Sequence, residues 1–263
     1  YRAVARIAVQ ADARIVPIFI GGARGLPFSL TPAAKAPRHW FPRLSVTALE
    51  PKTIAELIAG SGEQSTTASG ALFDRMAEAR LASTDLSRGL FYATRDAADR
   101  VGASRTIIED VVAGAMSYRK VFAAARVIGD RLQRQSRPGE AVGLLLPNTN
   151  GIVLSLLGLW SAARPAAVIN YTAGPANAAA AVHTAAIRSV VSSRAFIEKA
   201  NLHDIVEAIE HTGAKFIWLE DVRKSTGLWE KLSAALFWRS PLQKQDADKP
   251  AVILFTSGSE GTP

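Results

Sequence analysis

The stretch Ala251-Val252-Ile253-Leu254-Phe255-Thr256-Ser257-Gly258-Ser259-Glu260-Gly261-Thr262-Pro263 changes character in its middle. Residues 251–255 are an apolar run, the pattern of a buried strand. From Thr256 onward hydroxyl and glycine residues take over. Glycine permits positive φ and a close approach of the backbone to a ligand. Successive N–H groups in such a turn make a concavity for anions, and Thr256, Ser257, Ser259 and Thr262 add hydroxyl donors. Each hydrogen bond to a charged oxygen is worth roughly 1.5–3 kcal/mol. The composition describes a phosphate cradle at the end of a strand, built from Thr256, Ser257, Gly258, Ser259, Gly261 and Thr262. Glu260 has no proton to donate when ionised and is expected to point away. This is not a Walker A loop, which needs four residues between its glycines and then Lys-Ser/Thr; Gly258 and Gly261 enclose two. Nor is it G-x-G-x-x-G. A plain strand-to-turn junction shares the composition, so the decision passes to the rest of the chain.

That chain has 263 residues, enough for one large or two ordinary domains, and its 48% hydrophobic content favours packed cores over disorder. The absence of cysteine excludes disulfides, thiolate metal sites and a cysteine nucleophile, and fits a reducing compartment. His39, His183, His203 and His211 lack the close spacing of metal ligands, so no metal site is expected on them. The formal charge of +8 is uneven: residues 1–60 carry 8 Lys/Arg against 3 Asp/Glu, net +5. Such a block suits an anionic lipid surface, and it equally suits a solvated face of a basic protein. With only 7% aromatic residues and no RNA-binding pattern, nucleic acid is not an expected partner. The chain opens on an amphipathic helix pattern rather than a signal peptide. Residues 151–163, its best candidate span, fall short of the roughly 20 apolar residues that a membrane helix needs.

In the first block, residues 1–9 predict a helix with Val4, Ile7 and Ala8 on one face. Residues 15–20 predict a buried strand, with Pro17 marking an edge or a bulge. The glycines that follow, Gly21, Gly22 and Gly25, lead into prolines rather than a helix and read as a loop. Arg38-His39-Trp40-Phe41-Pro42-Arg43 has the composition of a membrane-interface contact, or of a packed aromatic pair with solvated arginines. Residues 44–49 alternate as a strand, Thr53-Ile54-Ala55-Glu56 is a capping box, residues 61–70 read as a linker and 71–82 as a helix.

Near Thr84 the pattern restarts. Thr84 is expected to cap a helix carrying Leu86, Leu90, Ala93, Ala97 and Val101, closed by Gly102. Ser117 is expected to cap another, with Val121, Phe122, Ala125, Ile128 and Leu132 inward. Strands are expected at residues 106–112, 141–146, 166–170, 189–192 and 215–219, and helices at 150–163, 176–186, 202–211 and 228–237. This alternation argues for an α/β fold, a parallel sheet with helices on both faces. Ligands then bind at the C-terminal ends of the strands, where residues 256–262 fall.

Two family resemblances join these readings. Ile15-Val16-Pro17-Ile18-Phe19-Ile20, after an Ala-rich helix, resembles the late Val-Pro-Ile/Val motif of glycerophospholipid acyltransferases of the PlsC type. That family's His-x4-Asp pair and Glu-Gly-x-Arg motif do not occur here, so catalytic residues are assigned to none of these positions. Thr256 to Pro263 is similar to the Thr-Ser-Gly-Ser/Thr-x-Gly-x-Pro-Lys phosphate loop of adenylate-forming ligases. Gly139-Glu140-Ala141-Val142-Gly143-Leu144-Leu145-Leu146-Pro147-Asn148 resembles an early segment of the same enzymes. Asn170-Tyr171-Thr172-Ala173-Gly174, Ser192-Ser193-Arg194 and Leu219-Glu220-Asp221 resemble one branch, the bifunctional acyl-[acyl-carrier-protein] synthetase/2-acylglycerophosphoethanolamine acyltransferases.

The resemblance implies the C-terminal part of an acyltransferase domain over residues 1–83 and the N-terminal part of an AMP-binding ligase over 84–263. It implies ATP and Mg²⁺ as cofactors. It implies a fatty acid, acyl carrier protein, a lysophospholipid and a membrane surface as partners, at the cytoplasmic face of a bacterial inner membrane. An ordinary acyl-CoA ligase with a passive flank, or a non-catalytic membrane-docking module, stands beside it.

Overall fold

The computed structural model describes residues 1–30, 40–41, 44–60, 67–84, 86–111 and 114–255. Its contacts divide into two units, Tyr1–Leu86 and Ser87–Pro263.

The first unit sets helices α1 (Arg2–Gln10), α2 (Ile54–Gly60) and α3 (Ala68–Ala82) with a two-stranded antiparallel ribbon, β1 (Ile18–Gly21) and β2 (Ser45–Ala48). Its small core gathers Ala5, Ala8, Ile54, Leu57, Ala71 and Leu72. The expected capping box forms: Thr53 N donates to Glu56 Oε2 at 2.7 Å and Glu56 N to Thr53 Oγ1 at 3.2 Å. Thr67 Oγ1 accepts from Gly70 N and starts α3 three residues earlier than expected, inside the presumed linker.

Two expectations fail here. The inward face of α1 is Ala5 and Ala8, while Val4 and Ile7 are exposed. The small side chains are those that face the helical core, and the larger ones point outward. The run of residues 15–20 is not a buried strand: pairing is regular only from Ile18, and Ile15 makes a single bridge to Lys52. Ile18 and Ile20 lie opposite Ala48 and Val46, and Ile18, Ile20 and Val46 stay largely exposed, because the ribbon has two strands and cannot bury both faces.

The second unit opens with α4 (Leu90–Val101) and a hairpin, β3 (Thr106–Asp110) with β4 (Gly114–Ser117). Helix α5 (Tyr118–Gln135) follows, and then β5 (Val142–Leu144), α6 (Asn150–Ser161), β6 (Ala166–Val168), α7 (Pro175–Thr184) and β7 (Ser189–Ser192). The chain continues through α8 (Arg194–Ala200), α9 (His203–His211), β8 (Lys215–Trp218), α10 (Leu219–Ser225), α11 (Leu228–Leu236) and β9 (Val252–Leu254). Five strands form one parallel sheet in the order β8-β7-β5-β6-β9. Alternate strand residues feed two cores. Leu145, Ala167 and Val190 meet α7, α8 and α9 through Ala178, Val182, Ile197, Ile205 and Ile209. Val142, Leu144, Ala166, Val191 and Ile217 meet α5, α6 and α10 through Ile128, Leu132, Leu159 and Val222. The expected doubly covered parallel sheet is therefore present.

Thr84 does not cap α4. Its hydroxyl donates to Arg80 O at 3.0 Å and finishes α3, and α4 begins after Gly89. Ser117 does cap α5, and all five residues expected inward on that helix are buried. Arg164, 3% exposed, ties the ends of two helices together. Its guanidinium donates to Ser136 O at 2.8 Å and Ser136 Oγ at 3.2 Å after α5, and to Ala162 O after α6. A cation at two helix C-termini also meets favourable dipoles. Among the described residues no helix is long and apolar enough to cross a membrane.

Candidate functional site

The order of the sheet sets its switch point. After β5 the chain goes to β6 on one side and then crosses to β7 on the other, so connections diverge above the C-terminal ends of β5 and β7. The backbone there is tightly closed: Leu145 N donates to Val191 O at 3.0 Å, and the buried Ser192 Oγ donates to Leu145 O at 2.7 Å.

Both helix N-termini at this switch point hold a carboxylate of the protein itself. At α6, which follows β5, Asn150 N donates to Asp110 Oδ2 at 2.6 Å, and Asn150 Nδ2 donates to Gly114 O at 2.9 Å. At α8, which follows β7, Ala195 N donates to Glu220 Oε1 at 3.3 Å and Ser193 Oγ donates to the same oxygen at 2.7 Å. Orphan N–H groups of this kind otherwise attract phosphate. Here one amide at each end already bonds a carboxylate, and an anionic ligand would meet Asp110 and Glu220. The C-terminal end of β9 lies at the same edge, beyond β6, and leads from Phe255 into the glycine and hydroxyl stretch. The candidate donors Thr256, Ser257, Gly258, Ser259, Gly261 and Thr262 lie outside the described residues, as does Glu260.

The rim between β7 and β8 joins two of the motifs singled out in the sequence. Ser192-Ser193-Arg194 follows one strand and Leu219-Glu220-Asp221 the other, and the strands are neighbours. Arg194 grips Asp221 with two bonds of 2.7 Å and lies 4.9 Å above the Trp218 ring. Trp218 in turn stacks on Phe216 at 5.0 Å. Across β5, Tyr171 meets Phe196 edge to face at 5.2 Å, linking the turn after β6 to α8. The third motif caps itself, with Asn170 Oδ1 accepting from Thr172 N at 3.0 Å. The Arg194 bidentate bond holds the Asp221 carboxyl below its ordinary value.

Burial alone would raise the Glu220 carboxyl, but bonds from Ser193 Oγ and backbone amides outweigh it and leave the pKa lowered. A depressed carboxylate stabilises the fold at pH values above its unfolded pKa, and that stabilisation fades as the pH falls through the folded pKa. Glu220→Gln is therefore expected to destabilise the protein most near neutrality. The gap from wild type should shrink as the pH drops through and below the ordinary carboxylate range. Urea unfolding of both proteins at a series of pH values checks this; a gap that widens on acidification contradicts it.

The opposite edge is different in kind. A cavity of about 1010 Å³ opens where β5, β6 and β9 begin, lined by Arg137, Pro165, Arg188, Lys244 and Lys249 among others. Among the described residues no three His, Cys, Asp or Glu side chains gather as a metal site.

Comparison with known proteins agrees with this architecture. Residues 94–263 match the family described as AMP-binding enzyme. Among solved structures, VinN in complex with 3-methylaspartate is 17% identical with a TM-score of 0.53, covering 68% of this chain and 47% of that one. The N-terminal subdomain of NpsA from Klebsiella oxytoca is 15% identical, TM-score 0.52, covering 68% and 41%. ATP-bound MatB from Rhodopseudomonas palustris is 20% identical, TM-score 0.50, covering 68% and 34%. At these identities the likeness is one of fold, and the chain spans less than half the length of each of these structures. With its parallel sheet, its strand-end glycine stretch and a family match over most of its length, the chain belongs to the AMP-binding enzyme family.

Proposed function

We propose that the enzyme carrying this chain activates a fatty acid with ATP, passes the acyl group to acyl carrier protein, and transfers it to a lysophospholipid such as 2-acylglycerophosphoethanolamine. In the first step a carboxylate oxygen attacks the α-phosphorus, the bond to the β-phosphate oxygen breaks, and pyrophosphate leaves. The carrier thiol then displaces AMP from the acyl carbon, and the lysophospholipid hydroxyl displaces the thiol. Attacking and leaving groups of the first step are both anionic, so fixed donors at the phosphates must offset their repulsion. Thr256, Ser257, Gly258, Ser259, Gly261 and Thr262 would supply them. Mg²⁺ would arrive with ATP and supply further charge at the phosphates.

One observation carries the ligase half: the glycine and hydroxyl stretch directly follows a parallel strand within residues matched to AMP-binding enzymes. The carboxylates Asp110 and Glu220 at two helix N-termini of this edge are in keeping with phosphate being held elsewhere along it. A fold neighbour with ATP bound is in keeping with the nucleotide. The acyltransferase half rests on residues 15–20 preceding the ligase pattern. The basic first block and the exposed Trp40 and Phe41 support a membrane surface there. Thioester formation by the full-length enzyme, assayed with acyl carrier protein and with coenzyme A, tests the partner. Turnover with the carrier protein and subsequent acylation of lysophospholipid is the expected result. Turnover confined to coenzyme A would point to an ordinary acyl-CoA ligase.

A further inference from the structure

We infer that α11 is an interfacial anchor by which the second unit lies on an anionic lipid surface. At about 100° per residue, Leu228, Trp229, Leu232 and Leu236 share one arc of α11 roughly 100° wide. All four are exposed, Leu228 by 71%, Trp229 by 83% and Leu236 by 74%. The opposite side of the helix faces the protein: Ala234 is buried, and Glu230 bonds Arg131 of α5 at 3.1 Å. The apolar arc therefore points directly away from the body of the unit. Phe237, the residue after the helix, lies off this arc, with Arg126 of α5 over its ring at 6.0 Å. Exposed apolar residues scattered singly need no explanation, but a contiguous outward stripe with a tryptophan does.

Charge selects the occupant. Residues 222–244 contain five basic side chains, Arg223, Lys224, Lys231, Arg239 and Lys244, and a single acid, Glu230. That acid is turned inward to Arg131 and to the Gly227 amide. Arg223 and Lys224, in the last turn of α10 just before the helix, and Lys231 on α11 itself all stay exposed. A second copy of the chain would set these cations against their own equivalents. An anionic bilayer pairs with both features, taking the leucines and Trp229 into the acyl boundary while the cations meet headgroups. The helix has 9 residues, about 13.5 Å, too short to span, so it lies in the plane of the surface. This inference is independent of the catalytic reading above: loss of ligase activity would leave it standing.

Residues 1–263 contain no cysteine, so a reporter thiol introduced here is unique within them. Leu232→Cys, labelled with an environment-sensitive dye, is expected to shift to the blue on phosphatidylglycerol vesicles, and much less on phosphatidylcholine vesicles or at high salt. The same dye on Glu207→Cys, an exposed position of α9, should stay unchanged. Because the reporter is local, lipid contact by the first unit does not mimic the result. In parallel, Leu228→Glu with Trp229→Glu should lower the vesicle affinity of the α11 reporter about tenfold or more, with helical content unchanged by circular dichroism. A silent dye on phosphatidylglycerol overturns the inference. So does a shift that grows with protein concentration without lipid, which would mean a second copy. Equal response to both lipids at every salt concentration also overturns it, since the cations would then play no part.

Discussion

Gly258→Val is expected to abolish fatty-acid-dependent ATP–pyrophosphate exchange in the full-length enzyme, while Ser259→Ala lowers it roughly 10- to 100-fold and Glu260→Gln lowers it least. Gly258 stands between hydroxyl residues just past β9, and in the proposed cradle it would let the chain turn and bring amides against phosphate. A branched side chain there occupies ligand space or forbids the turn, and it removes the cradle as a whole. Ser259→Ala deletes one donor and keeps the backbone. A hydrogen bond to a charged oxygen worth about 1.5–3 kcal/mol corresponds to the stated 10- to 100-fold. Glu260 carries no proton to give, so neutralising it removes nothing from the cradle. Acyl transfer from pre-made acyl carrier protein should survive all three changes, because the stretch lies in the second unit. The rank order is what the experiment decides. Should Glu260→Gln prove the most damaging, the stretch would not be a donor cradle and Glu260 would need a metal or catalytic role.

Where local chemistry and burial agree, the sequence was enough to place the elements. In α5 the Ser117 cap and five inward residues coincide with what is built, because a long helix with one apolar face states its own period. The five parallel strands were visible as short apolar runs between helices, and the sheet followed from their alternation. Helices α8 and α10 escaped notice. Each has 7 residues, too few for a period, and α8 is held by the Ser193 cap and by Glu220 from another element. Strand β4 escaped because Gly114-Ala115-Met116-Ser117 has weak strand character and exists only as the partner of β3. The start of α4 was misplaced because a threonine that caps a following helix and one that closes a preceding helix look alike in one dimension.

The site divides in the same way. Its glycine stretch stands out in the sequence by composition alone, and its residues lie outside the described ones. The carboxylates at the switch point were not legible, since Asp110 lies 40 residues from Asn150 and Glu220 lies 25 from Ala195. Nothing along the chain distinguishes Asp110 from a solvated acid, and Glu220 stands in a motif whose resemblance assigns it no role. Topology alone carries them to the helix ends.

The second large effect is expected in the contact between α5 and α6. A Cβ on Gly158 would stand 2.7 Å from Ala125 O and 3.0 Å from Gly129 N, and one on Gly129 would stand 2.5 Å from Gly158 O. These obstacles are backbone atoms, so no side chain can swing aside; one helix has to move. In an unobstructed helix interior Gly→Ala stabilises by about 1 kcal/mol. Overpacking a close contact costs about 1–3 kcal/mol and occasionally more, and a backbone-to-backbone obstruction belongs at the upper end. Gly158→Ala is therefore expected to destabilise the second unit by about 2 kcal/mol net of the propensity gain. Gly151, in the same helix, is the control: a Cβ there meets nothing closer than 3.4 Å, the Leu219 Cδ1 atom. Gly151→Ala should be neutral or stabilise by up to about 1 kcal/mol. Urea unfolding followed by far-ultraviolet circular dichroism should move the midpoint down for Gly158→Ala and leave it or raise it for Gly151→Ala, with slopes unchanged. Both helices pack on the face of the sheet that carries β5 and β6, so displacing α6 also disturbs the strands that position β9 and its following stretch. Gly158→Ala should accordingly lower adenylation as well as stability, and Gly151→Ala neither. Equal midpoints for the two variants would mean that α5 and α6 separate at little cost and that the close glycine contact does not hold the sheet's helical cover in place.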